Sequence, residues 1–162
     1  MKIIFLDVDG VLHPVTARPE TMFRPVPMAV LKTIVRESGA KIVLHSGWKN
    51  MLDAHLRPAL PQAELLLSAL SCAGLSLFDI TPDFADETIL RTRTFSRVKP
   101  DEIKHWLASC PSVAGWVVLD DIPLRDDLIA SHQLVTDPHT GLTEADIPKA
   151  LDILSLHNPL FS

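Results

Sequence analysis

The stretch "IIFLDVDGVLHP", residues 3–14, decides the fold. Ile3 to Leu6 form a short apolar run that does not alternate with polar residues. That pattern predicts a strand over Lys2–Leu6 buried on both faces, as in a parallel sheet. The run ends in two carboxylates one residue apart, Asp7 and Asp9, and then Gly10, which opens backbone paths closed to other residues. Carboxylates at a strand end repel each other and lose hydration. Either the pair lies in a loop, or something positive stands between its members. The pattern recurs in "GWVVLDD", residues 115–121, which runs into Asp120 and Asp121. With 14 aspartates in the chain, such spacings arise by chance about once each. The weight comes from their place at strand ends.

Outward from these two strands, helical and strand patterns alternate. Further strands are expected at Lys41–Leu44, Leu75–Phe78 and "HQLVTD", 132–137. Helices are expected over Met28–Ser38, stopped by Gly39, and over Lys49–Arg57, stopped by Pro58. Others are expected over Pro61–Leu70, from Lys99-Pro100-Asp101 to Ser109, and over Thr143–Leu156, where Thr143 and Asp146 have capping-box spacing. Four prolines mark 13–27 as loop, and 79–98 shows no periodicity. The alternation predicts an α/β fold, a mostly parallel sheet of about five strands with helices on both faces. No repeat or linker divides the chain, so one domain over 1–162 is expected.

Composition narrows the function classes. A net charge of -5 gives no general attraction to nucleic acid or to an anionic membrane. The longest apolar stretch, Ala63 to Phe78, carries Glu64 and Gly74 and is shorter than the roughly 18 residues of a membrane span. Asp7 interrupts the apolar run after Met1-Lys2 too early for a signal peptide. Cys72 and Cys110 match no metal or redox spacing and read as reduced thiols of a cytoplasmic protein.

In an open α/β sheet, ligands bind beyond the carboxyl ends of the strands. Asp7 and Asp9, Ser46, Lys99, and Asp120 and Asp121 all fall at or beside such positions. Singly, Ser46 reads as a turn or cap residue and Lys99 as solvated surface. Their order resembles the haloacid dehalogenase (HAD) superfamily. Asp7-Val8-Asp9-Gly10-Val11 is similar to its first motif, "IVLHSGW" (42–48) to its second, Lys99 in "RVKPDEI" to its third, and Asp120-Asp121 in "VVLDD" to its acidic fourth. "HQLVTDPHTGLTEADI", 132–147, and Trp48 resemble more narrowly the small HAD domains of RNA-repair "Swiss army knife" proteins.

The resemblance implies a Rossmann-like core and a magnesium-dependent phosphatase. Asp7 would be the nucleophile and form an aspartyl-phosphate. Asp9 would be general acid and then general base, kept protonated at first by neighbouring carboxylates. Ser46 would bind a phosphoryl oxygen, helped by backbone amides near Gly47, and Lys99 would neutralise charge. Mg²⁺ would be held by Asp7, the Asp9 carbonyl and Asp121, with Asp120 supporting, bonded to a metal water or to Lys99. The gap of 17 residues between Gly10 and the first helix leaves no room for a large cap domain.

The implied partner is a phosphorylated substrate, a small molecule or a nucleic-acid end, with no membrane and no signal of oligomeric state. Arg91, Arg93 and Arg97 in "RTRTFSRVK" are candidates to grip a polyanion, with Arg18 and Arg24 weaker ones. His45 is expected near the site as a packed histidine, and Trp48 and Trp116 as core. The alternative is a non-catalytic or regulatory phosphate-binding module. A receiver domain has similar ingredients, but its paired acids come early, whereas Asp120-Asp121 come late.

Overall fold

The structure is a computed structural model and describes residues 1–159; residues 160–162 of the expected domain lie outside that range. Five strands form one parallel sheet: β1 (Lys2–Leu6), β2 (Lys41–Leu44), β3 (Leu77–Ile80), β4 (Gly115–Asp120) and β5 (Gln133–Val135). Their order is β3-β2-β1-β4-β5. The chain moves outward from β1 to β3, then returns to place β4 on the other side of β1. The order therefore reverses between β1 and β4, and a crevice opens beyond their carboxyl ends. The Asp7 amide still donates to the Leu119 carbonyl at 2.9 Å, so pairing continues to the point where the carboxylates begin.

Both sheet faces are covered, which is why Ile3 to Leu6 do not alternate with polar residues. Ile4, Leu6, Val117 and Leu119 point to one side. There they meet α1 (Pro25–Ser38), α2 (Pro61–Cys72) and α6 (Asp146–Ser155) through Leu31, Ile34, Leu66 and Leu154. Ile3, Phe5, Trp116 and Val118 point to the other side. They meet α4 (Phe95–Ser109) and α5 (Asp127–Ser131) through Ile103, Trp106 and Ile129. Phe5 lies edge-on to Trp106 and Trp116, at centroid distances of 5.5 and 6.1 Å. Burying one such side chain contributes on the order of 2–3 kcal/mol. Among the described residues no helix is long and apolar enough to cross a membrane.

Several boundaries differ from the sequence pattern, each for a local reason. Helix α1 begins at Pro25, because first-turn amides have no intrahelical acceptor and proline loses nothing there. The helix expected over Lys49–Arg57 is replaced by a 3₁₀ turn, Gly47–Met51, and an irregular loop. Asp53 accepts from the amides of His55 and Arg57 at 2.8 and 2.9 Å, a local alternative to helical bonding. Strand β3 starts two residues later than expected, since the Leu75 amide is used to close α2 on the Leu70 carbonyl, with Gly74 at φ +74°.

The featureless stretch 79–98 contains α3 (Glu87–Thr92), capped by Asp86, and the first turn of α4. Pro100 is therefore inside α4 rather than at its start. The carbonyl that Pro100 cannot engage, that of Ser96, instead accepts from the Arg125 amide at 2.9 Å. The last helix starts at Asp146, whose carboxylate accepts from the amide and hydroxyl of Thr143.

Gly115 opens β4 directly under the end of α6. A Cβ there would lie 2.4 Å from the Leu154 carbonyl oxygen and 3.2 Å from that of Leu156. Gly115→Ala is expected to destabilise the protein by about 1–3 kcal/mol through overpacking. The check is a lower urea midpoint at unchanged m-value.

Candidate active site

The crevice beyond β1 and β4 is a cavity of about 460 Å³. Asp7 follows β1 directly, Asp120 ends β4, and Asp121 follows it. One carboxylate oxygen from each of these three lies within 4.8 Å of the others. Lys99 enters from α4, where Lys99, Glu102, Ile103, Trp106 and Leu107 form one buried stripe at i, i+3, i+4, i+7 and i+8. Packing the apolar part of that stripe on the sheet carries the lysine into the crevice. Its Nζ donates to Asp120 Oδ2 at 2.7 Å and lies 3.4 Å from Asp7 Oδ1. The positive partner sought in the sequence is thus present, shared between the two acidic segments.

The charges respond to this crowding. Burial lowers the Lys99 pKa, but the charges of Asp7 and Asp120 outweigh it and hold the ammonium above its ordinary value. Burial, then repulsion from Asp7, push the Asp120 carboxyl up to about 7 against the pull of Lys99. Burial and Asp7 also raise Asp121. Both Asp120 oxygens are engaged, by Lys99 and by the Ile122 amide.

Asp9 is held differently. Its side chain is 51 % exposed, and its oxygens accept from His13 Nε2 at 2.8 Å and Trp48 Nε1 at 2.9 Å. The Phe23 amide donates to His13 Nδ1, so the ring proton is on Nε2, facing Asp9. Phe23, at φ +53°, lies edge-on to both His13 and Trp48 and completes an aromatic bracket. Burial raises the Asp9 pKa, but the bonds from His13 and Trp48 outweigh it, and the net shift is downward. This corrects the expectation that neighbouring carboxylates keep Asp9 protonated.

Ser46 and Gly47 line the cavity. Ser46 Oγ caps the 3₁₀ turn by accepting from the Trp48 amide at 3.3 Å, which uses a lone pair and leaves its proton. His45 is buried at the same place. Burial and then the charge of Lys99 keep it well below the usual histidine range, and its Nδ1 has no hydrogen-bond partner among the described residues. Arg91, Arg93 and Arg97 do not line the cavity; α3 and its flanks expose them to solvent, as the loop does Arg18 and Arg24. The basic run therefore does not converge on the carboxylates.

Some residues at the site carried weak sequence signals. Trp48 belongs to the core as expected, but its N–H also fixes Asp9. His13 stands four residues after Asp9 in an irregular turn, where no helical or strand register signals that the two side chains meet. Glu102 and Lys49 form a buried pair at 2.6 Å, and Lys49 also donates to Thr81 Oγ1 and the Pro82 carbonyl. The stripe on α4 is the signal that would have found Glu102. The segment after β5 buttresses the first loop: Thr136 Oγ1 donates to the Gly10 carbonyl at 2.6 Å, and Leu142 N to the Val11 carbonyl.

Residues 3–147 match the family described as the HAD domain in Swiss Army Knife RNA repair proteins. Neither the curated proteins nor the solved structures contain a match to the chain.

Gly10 has φ +76°, and a Cβ there would lie 2.5 Å from Asp121 Cγ. Gly10→Ala is expected to turn Asp121 away and to cost about 1–3 kcal/mol in unfolding free energy. Thermal and urea denaturation check it.

Proposed function

The chain belongs to the HAD domain family of Swiss Army Knife RNA repair proteins, and from that premise we propose that it is a magnesium-dependent phosphohydrolase acting through an aspartyl-phosphate. The observation that carries the proposal is the buried cluster at the reversal of strand order. Asp7, Asp120 and Asp121 converge there around the Lys99 ammonium. Three carboxylates against one ammonium leave a deficit of positive charge in a site lined with oxygen donors, which suits a hard dication.

Asp7 and Asp121, with the Asp9 main-chain carbonyl, would hold magnesium, while Asp120 stays on Lys99. Bound there, magnesium neutralises charge on the phosphoryl oxygens. The Asp7 carboxylate attacks phosphorus, an acyl-phosphate bond forms, and the ester bond to the leaving oxygen breaks. Ser46 would donate a hydrogen bond from its hydroxyl to a phosphoryl oxygen, and Lys99 would balance the charge built up between that group and Asp7.

Asp9, ionised while held by His13 and Trp48, would take up a proton from solvent as the arriving phosphate dianion raises its proton affinity by like-charge repulsion, and pass that proton to the leaving oxygen. In the second half-reaction it takes a proton from water, which attacks phosphorus, releases inorganic phosphate and restores Asp7.

The reading of one domain without a large cap is supported by the short connections at 7–24 and 81–94. Free Cys72 and Cys110 suit a cytoplasmic setting. The substrate class is a phosphomonoester, within which a nucleotide or a phosphorylated nucleic-acid end falls.

Release of phosphate from a phosphomonoester with magnesium tests the chemistry. Asp7→Asn is expected to lower kcat by at least about 10³-fold, and chelation to abolish turnover; equal rates in wild type and Asp7→Asn would sink the assignment. Independently of turnover, magnesium at 100 times its Kd is expected to stabilise the protein by about 2.7 kcal/mol. That corresponds to a rise in Tm of about 5–10 °C, and Asp121→Asn should lose most of it.

A further inference from the structure

The cavity has two unlike halves. Its floor holds Asp7, Asp121, Ser46 and Lys99. Its upper wall is apolar, built by Val15 from the first loop, Ala85, Leu90, Phe95 and Val98 from the α3–α4 segment, and Ile122 after β4. Two of these, Val15 at 47 % and Leu90 at 60 %, are left exposed although they are large and apolar. A phosphoryl group on Asp7 would fill part of the 460 Å³, and the remaining space is lined by these apolar side chains together with Lys49, Asn50, Asp83 and Glu102. That volume is within the range of small-ligand sites.

The wall is anchored at both ends. Before α3, the Pro82 carbonyl accepts from Lys49 at 2.6 Å, Asp83 accepts from Asn50 at 2.8 Å, and the Phe84 amide donates to Glu102 at 2.9 Å. After α3, Arg93 turns the chain at φ +54°, and the Ser96 carbonyl is held by the Arg125 amide. The surface is thus formed before anything binds, which lowers the ordering cost of a ligand.

Charge excludes one kind of occupant. The cations lining the cavity, Lys49 and Lys99, are both bonded to carboxylates. Its acids include Asp9 and Asp83 besides those of the floor, while Arg91, Arg93 and Arg97 lie outside it. A second phosphate beyond the reacting one would meet acids and apolar side chains instead of arginine.

We propose that this wall binds the leaving group, and that the substrate is a phosphomonoester of an uncharged, apolar alcohol of small-molecule size. The proposal rests on the phosphohydrolase reading above and narrows its substrate. Leu90 and Phe95 are its specificity-determining residues, contributing through burial of the alcohol's apolar surface.

The test compares kcat/KM, with magnesium, for 2-phenylethyl phosphate, 2-hydroxyethyl phosphate and a 5′-phosphorylated thymidine dinucleotide. The first two share a primary-alcohol leaving group, so their difference reports binding to the wall. The phenylethyl ester is expected to be preferred at least about tenfold over the hydroxyethyl ester, and Leu90→Ser to bring that ratio within about threefold. Leu65→Ser, a change of another exposed leucine, on α2 and outside the cavity lining, should keep the wild-type ratio.

Calorimetry with 2-phenylethylphosphonate and 2-hydroxyethylphosphonate reads the same preference without turnover. If no ester is hydrolysed but the phenyl phosphonate binds tighter, the phosphohydrolase reading fails and the apolar subsite stands. Equal affinities of the two phosphonates, a ratio unchanged by Leu90→Ser, or preference for the dinucleotide overturns the subsite.

Discussion

One buried ammonium organises this protein. Lys99 is almost fully buried between Asp120, at 2.7 Å, and Asp7, at 3.4 Å. Removing a charge from water is costly, and removing one member of a buried pair leaves the other uncompensated. The arrangement therefore requires β1 and β4 to be neighbours, so that their terminal carboxylates can share one cation. It also requires α4 to pack in one register, so that Ile103, Trp106 and Leu107 reach the core while Lys99 reaches the crevice. Pro100 follows immediately, and the carbonyl it leaves free is taken by the Arg125 amide. Sheet order, helix register and the loop after β4 are all tied to the same charge.

The same helix face carries a second buried pair, and the two differ in how their charges are met. Lys49 places its ammonium on Glu102, Thr81 and Pro82, and Glu102 receives Lys49 and the Phe84 amide. Donors and acceptors there balance, so the pair acts as a brace for the loop ahead of α3. Around Lys99 three carboxylates converge. Burial and mutual repulsion raise Asp120 and Asp121, the direction expected of carboxyls short of positive charge. A balanced pair leaves no charge unmet, whereas around Lys99 the carboxylates outnumber the ammonium.

Much of this was legible because it is written in short-range pattern. Unalternating apolar strands ending in acids announced β1 and β4, and alternation with helices announced a parallel sheet. What escaped depended on side chains reaching across the fold. The bonds of Asp9 come from residues four and 39 positions away, and a tryptophan that packs in the core gives no sign that its N–H is also spoken for. Arg91, Arg93 and Arg97 cluster in sequence, but α3, its C-cap and the first turn of α4 leave all three exposed and outside the cavity lining. Leu90, within the same segment, faces the cavity. Helical rotation, which that short aperiodic stretch did not disclose, separates the two.

Asp7 and Asp9 began as equivalent members of one spacing, and their surroundings make them unlike. Asp7 is buried, close to the ammonium and to two other carboxylates, a place where its charge can be directed at an incoming phosphorus atom. Asp9 is half exposed, with one oxygen on a histidine and the other on an indole. Those two donors fix the orientation of its carboxylate and favour its ionised form. A proton carrier has to bind and release within one cycle, so its affinity must change as the charge beside it changes. The bracket sets the affinity low, and under the proposed mechanism a phosphate dianion placed beside it would work in the opposite direction. The two aspartates are therefore distinguished by what their neighbours do to charge. Gly10 keeps the turn that presents them compact enough for Asp121 to stand directly against it.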